Sequence, residues 1–489
     1  MTRILAMMLL ASSALAQIRM VALPGKSPLV TFRIVFLTGA ASDPEDKPGL
    51  ANLTAAMIAQ GGTKDLTYKQ IVDAMFPMAT SVSSQVDKEM TVFSGTTHVD
   101  NLDAYYNLFR SMLLEPGWRE DDFKRLKDDA VNYLRVGLRG NNDEELGKEA
   151  LYGAIYEGTP YGHETVGTIS ALQKMTLDDV KQFYHDHYTQ RAVIAGIAGG
   201  YPAKFVAQVT KDFEKLPNVR SFQAHPTHPK PIAHNRLTIV DKNTRSVAYS
   251  LGYPIAITRR NAGFPALLVA QAYFGQHRVS IGRLYQRMRE LRGLNYGDYA
   301  YIEYFPRGMF LMEPNPNLGR QQQIFQMWIR PVEPATAKFA LRLALFELNR
   351  LVKTGLSEEE FERSRDFVSK YVTLLTKTKN AELGYAIDSV YYGIPNYVPY
   401  IRSALAKMTR EQVNQAIRSY LRPDKLQIVA VTRDGDAFKQ QLLDAGPSPM
   451  TYNSAKPQDI LDEDKVVENW NLNLRPEDIQ VVPVDKVFE

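Results

Sequence analysis

No cysteine occurs in the 489 residues, which excludes thiol nucleophiles, disulfide frameworks, Cys-ligated zinc and cysteine-bound iron–sulfur clusters. Histidine is scarce, with eight copies, and neither H-E-x-x-H nor H-x-x-E-H is among the motifs they form. The chain therefore carries no conventional zinc-hydrolase site. His185 and His187 lie two apart on a predicted helix and read as solvated, while His225, His228 and His234 fall in a proline-rich stretch. A G-x-S-x-G elbow and a Walker A loop are also missing. Basic residues (58) barely outnumber acidic ones (54) and form no dense block, which removes the electrostatic footprint of nucleic-acid binding. Beyond the first residues there is no apolar run of about 18, the minimum for a membrane-spanning helix.

The remainder is ordinary globular composition, 45% hydrophobic and 23% charged, with material for several cores. The first residues read as a leader for export: Arg3, an apolar run Ile4 to Ala11, and Ala14-Leu15-Ala16 as a cleavage signal before Gln17. An exported chain without cysteine fits a bacterial periplasm. The sequence then repeats itself. Lys174-Met175-Thr176 and Lys407-Met408-Thr409 each open a helix that Thr caps, with Asp179 or Gln412 at the capping-box position. A short apolar strand follows each helix, at Ala192 to Ile197 and Leu426 to Val431. Pro116 to Phe123 matches Thr354 to Phe361 in the same way, and the offsets of the two pairs, 233 and 238 residues, indicate a duplication.

X-Pro steps at His225-Pro226, His228-Pro229 and Lys230-Pro231 mark a semi-rigid linker. The expected division is a leader 1–16, a first half 17–219, a linker 220–236, a second half 237–445 and an extended tail 446–489 lying on its own surface or on a partner. Strands at Thr31 to Leu37, Val247 to Leu251 and Phe325 to Ile329 are mixed with helices at Lys338 to Leu351 and Phe361 to Thr376. Without strict βαβ alternation, this predicts an α+β fold of two homologous halves, each an antiparallel or mixed sheet packed against helices.

Several segments carry a family resemblance. Met175-Thr176 with its helix and following strand, Gly158-Thr159-Pro160-Tyr161-Gly162 with Gly167-Thr168, Gly282-Arg283-Leu284-Tyr285 through Arg289 to Tyr296, and Gly355 to Phe361 stand in order at suitable spacing. Together they resemble the M16 zinc peptidases, the insulinase, pitrilysin and mitochondrial processing peptidase group, and most closely the short bacterial members built from two halves. In active relatives the first helix carries H-x-x-E-H, whose two imidazoles one turn apart grip zinc while the carboxylate between them activates its water. Here Asn52 and Ala56 stand at the histidine positions and Ala55 at that of the general base. The third ligand, a Glu expected between about residues 125 and 140, is replaced by Asp128 and Asp129 alone, with Glu144 and Glu145 slightly later.

The resemblance also implies an Arg and a Tyr, spaced R-x6-Y, that face the zinc site and hold the peptide carbonyl. Arg289 and Tyr296 have that spacing, with Arg289 placed in the last turn of a helix ended by Gly293 and Tyr296 opening the next strand. The implied function is a non-catalytic subunit of a periplasmic two-chain M16 zinc endopeptidase. It holds no metal itself, acts on extended peptides and pairs with a zinc-bearing H-x-x-E-H chain. The alternative is a structural or peptide-binding scaffold with no part in catalysis.

Overall fold

The computed structural model describes residues 18–219, 228–280, 282–308 and 311–489. The expected leader, and residues 220–227 of the expected linker, lie outside them. In the first half the strands β1 (Arg19–Pro24), β2 (Leu29–Phe36), β3 (Ser83–Val86), β4 (Thr91–His98) and β5 (Val193–Gly199) form one sheet in the order β1-β5-β2-β4-β3. β1 runs parallel to β5 and the other neighbours pair antiparallel. In the second half β6 (Arg236–Asp241), β7 (Val247–Ile255), β8 (Tyr299–Tyr301), β9 (Gln323–Val332), β10 (Gln427–Thr432) and β11 (Ile479–Pro483) are ordered β11-β6-β10-β7-β9-β8. With β11 set aside, this is the first order repeated strand for strand, including the parallel outer pair β6–β10. The fold is α+β with two homologous halves.

Alternation along the central strand β2 explains how each sheet is buried twice. Phe32, Ile34 and Phe36 point to one face, where Phe32 packs against Tyr105, Tyr106 and Phe109 of helix Leu102–Leu114. Arg33 and Val35 point to the other face, and the helix that covers it, Lys379–Tyr392, comes from the second half. The exchange is mutual. Helix Asp143–Ile155 of the first half lies on β7 and β10 of the second. Both helices start on a side-chain cap, Asn142 accepting from Glu145 N and Thr378 from Ala381 N.

Close approach is secured by glycine on one side of each contact. A Cβ on Gly196 of β5 would stand 2.7 Å from Ile387 Cδ1, and one on Gly147 would stand 3.1 Å from Ser250 Oγ.

Polar groups line the same seam. The link between β8 and β9, residues 302–322, is far longer than its counterpart between β3 and β4 and reaches across to the first half. From it Arg320 forms a buried ion pair with Asp87 (2.8 Å) and stacks over Tyr304, 3.4 Å from the ring centroid. Asn317 Oδ1 accepts from Arg33 Nε (2.8 Å), and its own Nδ2 and N donate to Asp388. Tyr152 OH donates to Gln326 Oε1 and Tyr156 OH to the Gln323 carbonyl.

The last residues depart from the expectation of an extended tail. Residues 446–489 contain a helix, Gln458–Val467, and the strand β11, which adds in parallel to β6. Beyond β11 the chain crosses to the first half. The carbonyls of Phe488 and Glu489 accept from Ile169 N (3.1 Å) and Ser170 N (2.8 Å), at the start of helix Ile169–Lys174, and Arg139 pairs with Glu489 at 3.0 Å. The periodic signal was hidden because helix Gln458–Val467 presents only Ile460, Asp464 and Val467 inward.

Removing one member of the Arg320–Asp87 pair strands a charge in the seam. Asp87→Asn is expected to lower unfolding free energy in urea by about 3 kcal/mol, and the double substitution with Arg320→Met to cost less than the single one.

Candidate functional site

Helix Leu50–Gln60 carries Asn52, Ala55 and Ala56, the positions expected for a zinc motif, and its start is firmly built. Both oxygens of Asp43 cap it, accepting from Gly49 N and Ala51 N at 2.7 Å, and His163 Nε2 lies 3.1 Å from Asp43 Oδ2. Gly49 has φ 102, and a Cβ there would meet the Val166 carbonyl at 2.3 Å, so the Gly158 to Thr168 segment packs backbone to backbone against the helix start. Burial depresses the pKa of His163, and Lys88 adds to the effect.

One turn apart, Asn52 and Ala56 lie on the half-buried face, while Ala55 is fully buried. Asn52 opens on a cavity of about 220 Å³ that Glu145, Glu149, Glu164, Tyr133 and Arg307 also line. Asp128 and Asp129 are exposed and away from it. Glu144 and Glu145 are buried but already engaged. Lys148 pairs with both, at 3.1 and 2.8 Å, Tyr299 OH donates to Glu144, and Arg307 N donates to Glu145 at 2.9 Å. Burial raises the carboxyl pKa of Glu149 and of Glu164. The donor set does not suit zinc: Ala56 offers no ligand atom, Asn52 only an amide, and the nearby carboxylates are either ion-paired or pushed toward the protonated form. Among the described residues no group of three His, Asp or Glu could hold a metal.

Arg289 and Tyr296 line a separate cavity, of about 490 Å³. Gly293 (φ 67) ends the preceding helical turn. Its N–H bonds the Arg289 carbonyl at 2.8 Å, an αL closure, and the Leu294 N–H bonds the Met288 carbonyl at 3.0 Å. Tyr296 does not open a strand as the sequence suggests. It sits in the turn before β8, which starts at Tyr299, because Asn295 folds back on Gly297 N (2.9 Å) and Asp298 (2.6 Å). The Tyr296 side chain is 79% exposed. The Arg289 guanidinium lies 4.9 Å from the Tyr285 ring centroid and 5.6 Å from that of Tyr296, and donates to the Tyr296 carbonyl at 3.3 Å. An arginine beside two phenol rings at an open cavity can present its remaining N–H groups to a carbonyl or carboxylate.

The neighbouring arginines are spent elsewhere. Arg283 and Arg287 bind Glu347 at 3.0 and 2.9 Å, and Arg292 binds Asp464 (2.8 Å) and Glu463 (2.9 Å) of the tail helix. Arg289 meets only Glu290, at 3.8 Å. The tail thus clamps the segment on either side of Arg289. Sequence reasoning missed this role, and missed Asp298 and Arg330 on the wall of the cavity. The Asp462-Glu463-Asp464 run is the signal in the sequence that could have found it.

Two family descriptions match the chain in series: "Insulinase (Peptidase family M16)" over residues 20–169 and "Peptidase M16 inactive domain" over residues 174–367. The chain belongs to peptidase family M16. Among M16 relatives, the protein named "Uncharacterized zinc protease YmxG" of Bacillus subtilis is 21% identical over 71% of this chain and 79% of its own length. The "Non-peptidase homolog YmxG" of Helicobacter pylori is 19% identical over 83% and 89%. A solved M16 inactive domain from Pseudomonas fluorescens superposes with TM-score 0.73 at 20% identity, covering 86% of this chain and 96% of that one. The periplasmic protease PqqL of Escherichia coli superposes with TM-score 0.68 at 14% identity, covering 93% of this chain and 49% of that one. At such identities the superpositions carry the M16 fold and nothing further.

Two measurements follow. Burial lifts the Asp298 carboxyl to about 7, between Arg330 and Glu144. Its folded pKa exceeds its unfolded one, so its stabilising contribution is complete below about pH 4 and is lost as pH rises through about 7. Asp298→Asn should flatten the fall in unfolding free energy over that window, by up to about 1.4 kcal/mol per pH unit. Replacing Glu463 by Gln and Asp464 by Asn should leave the fold intact, cost about 2 kcal/mol, and speed proteolytic cleavage between Arg287 and Gly297.

Proposed function

We propose that this chain is the non-catalytic subunit of a two-chain M16 zinc endopeptidase, lending Arg289 and Tyr296 to a zinc site on an H-x-x-E-H partner. One observation carries the reading. The face where zinc ligands would stand and the Arg289–Tyr296 pair line different cavities of this chain, so the pair serves a peptidase site only if another chain brings the metal. The names "inactive domain" and "non-peptidase homolog" among its similars fit a subunit without its own catalysis.

In the assembled pair an extended peptide lies between the chains with its scissile carbonyl at the partner's zinc. The Arg289 guanidinium and the Tyr296 hydroxyl hold the carbonyl oxygen and offset the negative charge that develops on it. The Tyr285 ring beside the guanidinium restrains it, which lowers the cost of ordering it when the substrate arrives. The proposed location is the periplasm after removal of residues 1–16. Among the described residues no helix is long and apolar enough to cross a membrane.

The test is reconstitution with the H-x-x-E-H protein of the same genome, with bound zinc and peptide hydrolysis measured on the same samples. Zinc and turnover in the mixture well above the partner alone are expected. Arg289→Ala and Tyr296→Phe should each lower kcat about 10- to 100-fold with assembly unchanged. A mixture that cleaves no faster than the partner alone would leave the chain a scaffold. Hydrolysis by this chain purified alone would overturn the reading outright.

A further inference from the structure

The duplication gives the Arg289–Tyr296 cavity a counterpart in the first half. Strand for strand, the edge pair β8–β9 answers to β3–β4, and the exchanged helix Asp143–Ile155 answers to Lys379–Tyr392. Beside the start of each helix a cavity opens. In the second half Arg330 of β9 reaches Glu144, the second residue of its helix, at 3.3 Å. In the first half Arg33 of β2 reaches Asn380, also the second residue of its helix, at 2.8 Å. There the sheet forms an open groove of about 630 Å³, bordered by Thr80, Ser83, Ser94, Thr96 and Asn380. Ser94 and Thr96 pair with Arg33 and Thr31, so they stand on the same face as Arg33.

Each cavity also has one bare aromatic at its rim. Phe76, in the turn before β3, is 82% exposed, and Tyr296, in the turn before β8, is 79% exposed. Among the described residues the next most exposed large apolar side chain is Leu374, at 56%. The turn that carries Phe76 is anchored. Thr80 Oγ1 donates to the Thr96 carbonyl (2.6 Å) and Tyr105 OH to that of Ser81 (3.1 Å). The phenol passes over Gly95, where a Cβ would stand 1.8 Å from its hydroxyl. The Phe76 ring is thus held out in water by a fixed turn, where it gains by burial against apolar atoms of another molecule.

The two cavities differ in what borders them. Charged side chains, Arg289, Asp298 and Arg330 among them, border the second-half cavity, whereas the groove is bordered by hydroxyls, an amide and Phe76. The Ser83 and Ser94 hydroxyls bond each other at 3.0 Å and keep lone pairs to offer. Asn380 Oδ1 accepts from Arg33 Nη1, which leaves its amide N–H groups as donors. Such groups match the alternating N–H and C=O of an extended chain, and Phe76 matches an apolar side chain on it. We propose that this groove is a second peptide contact of the chain, receiving an extended, uncharged segment whose apolar side chain lies on Phe76. The inference rests on the reading of Arg289 and Tyr296 as a peptide-holding pair. It adds a second place on the subunit and the class of segment received there.

The test uses the full chain without a partner, so that it is separate from hydrolysis. Fluorescence anisotropy compares labelled, end-capped peptides of Gly, Ser and Gln with Leu-Leu, Glu-Glu or Lys-Lys at the centre. The Leu-Leu peptide should bind about tenfold tighter than either charged one, a preference that salt leaves unchanged. Phe76→Ala should reduce the preference to about threefold or less, and Ser83→Glu should turn it toward Lys-Lys. Both positions are exposed, so both variants should fold as the parent does. With photoleucine in place of the central leucines, adducts should map to residues 76–96 or to Asn380. Equal affinity for the three peptides, no measurable binding, adducts elsewhere, or a preference that Phe76→Ala leaves intact would overturn the peptide contact. So would displacement of the peptide by chitotetraose, which would make the groove a glycan site. If the reconstituted mixture is inactive while the Phe76-dependent preference holds, the groove stands and the shared peptidase site falls.

Discussion

The architecture depends on the mutual exchange of one helix between the halves. Each sheet has helices of its own half on one face. The other face is covered by Lys379–Tyr392 in the first half and by Asp143–Ile155 in the second. Neither half could therefore bury its sheet alone: withdrawing Leu383 and Ile387 would bare Val35, Val92 and Ile194 to water. Exchange also rules out a hinge between the halves, because opening one would pull a helix off each sheet at once. On the proposed reading, the space that encloses a peptide is completed by the second chain.

Given that constraint, the polar seam follows. Helix Asp143–Ile155 carries Glu144, Glu145 and Lys148 into a buried region, where Lys148 pairs with both carboxylates and further partners come from the opposite half. Tyr299, Arg330 and the Arg307 backbone supply them, and Arg320 does the same for Asp87 on the other side. Such pairs add little net stability compared with apolar packing, but they fix one register of helix on sheet and exclude slipped alternatives. The long link at 302–322 delivers Arg307 and Arg320, while Tyr299 and Arg330 come from the strands on either side of it. It also closes the cavity next to Asn52, since Pro306, Arg307, Asn315 and Leu318 stand on its wall.

Much of the fold was legible because it rests on local physics. The Thr176 and Thr409 capping boxes, the strands β5 and β10 behind them, and Ser357 with Glu360 all lie where the spacing put them. The helix exchange was not legible, because periodicity tells which face of a helix is apolar and not which sheet will cover it. His187 misled for a related reason. Read as solvated, it is 8% exposed, stacked on Phe183 at 4.1 Å and close to Thr38, contacts that need the tertiary fold to exist. At the candidate site the R-x6-Y spacing located Arg289 and Tyr296. Arg330 lies 32 residues beyond Asp298 and joins it only through the β8–β9 pairing, which no window of sequence encloses.

The loss of zinc ligands and the upkeep of the rest are best understood together. Replacing the histidine positions by Asn52 and Ala56 removes metal binding, yet Asp43 still caps the helix with both oxygens and Gly49 still meets the Gly158 to Thr168 segment. That helix remains because it also walls the core, with Leu53, Met57 and Ile58 fully packed. Around Arg289 the core duty falls to Leu284, Met288 and Leu294, and Arg289 and Tyr296 themselves take no part in it. Tyr296 is largely in solvent and Arg289 has only a long contact with Glu290, 3.8 Å, although the tail spends Glu463 and Asp464 on holding the turn around it. Ordering an exposed arginine and tyrosine costs conformational entropy that packing does not return. That this cost is met for two side chains beside an open cavity is what supports the proposed peptide-holding role.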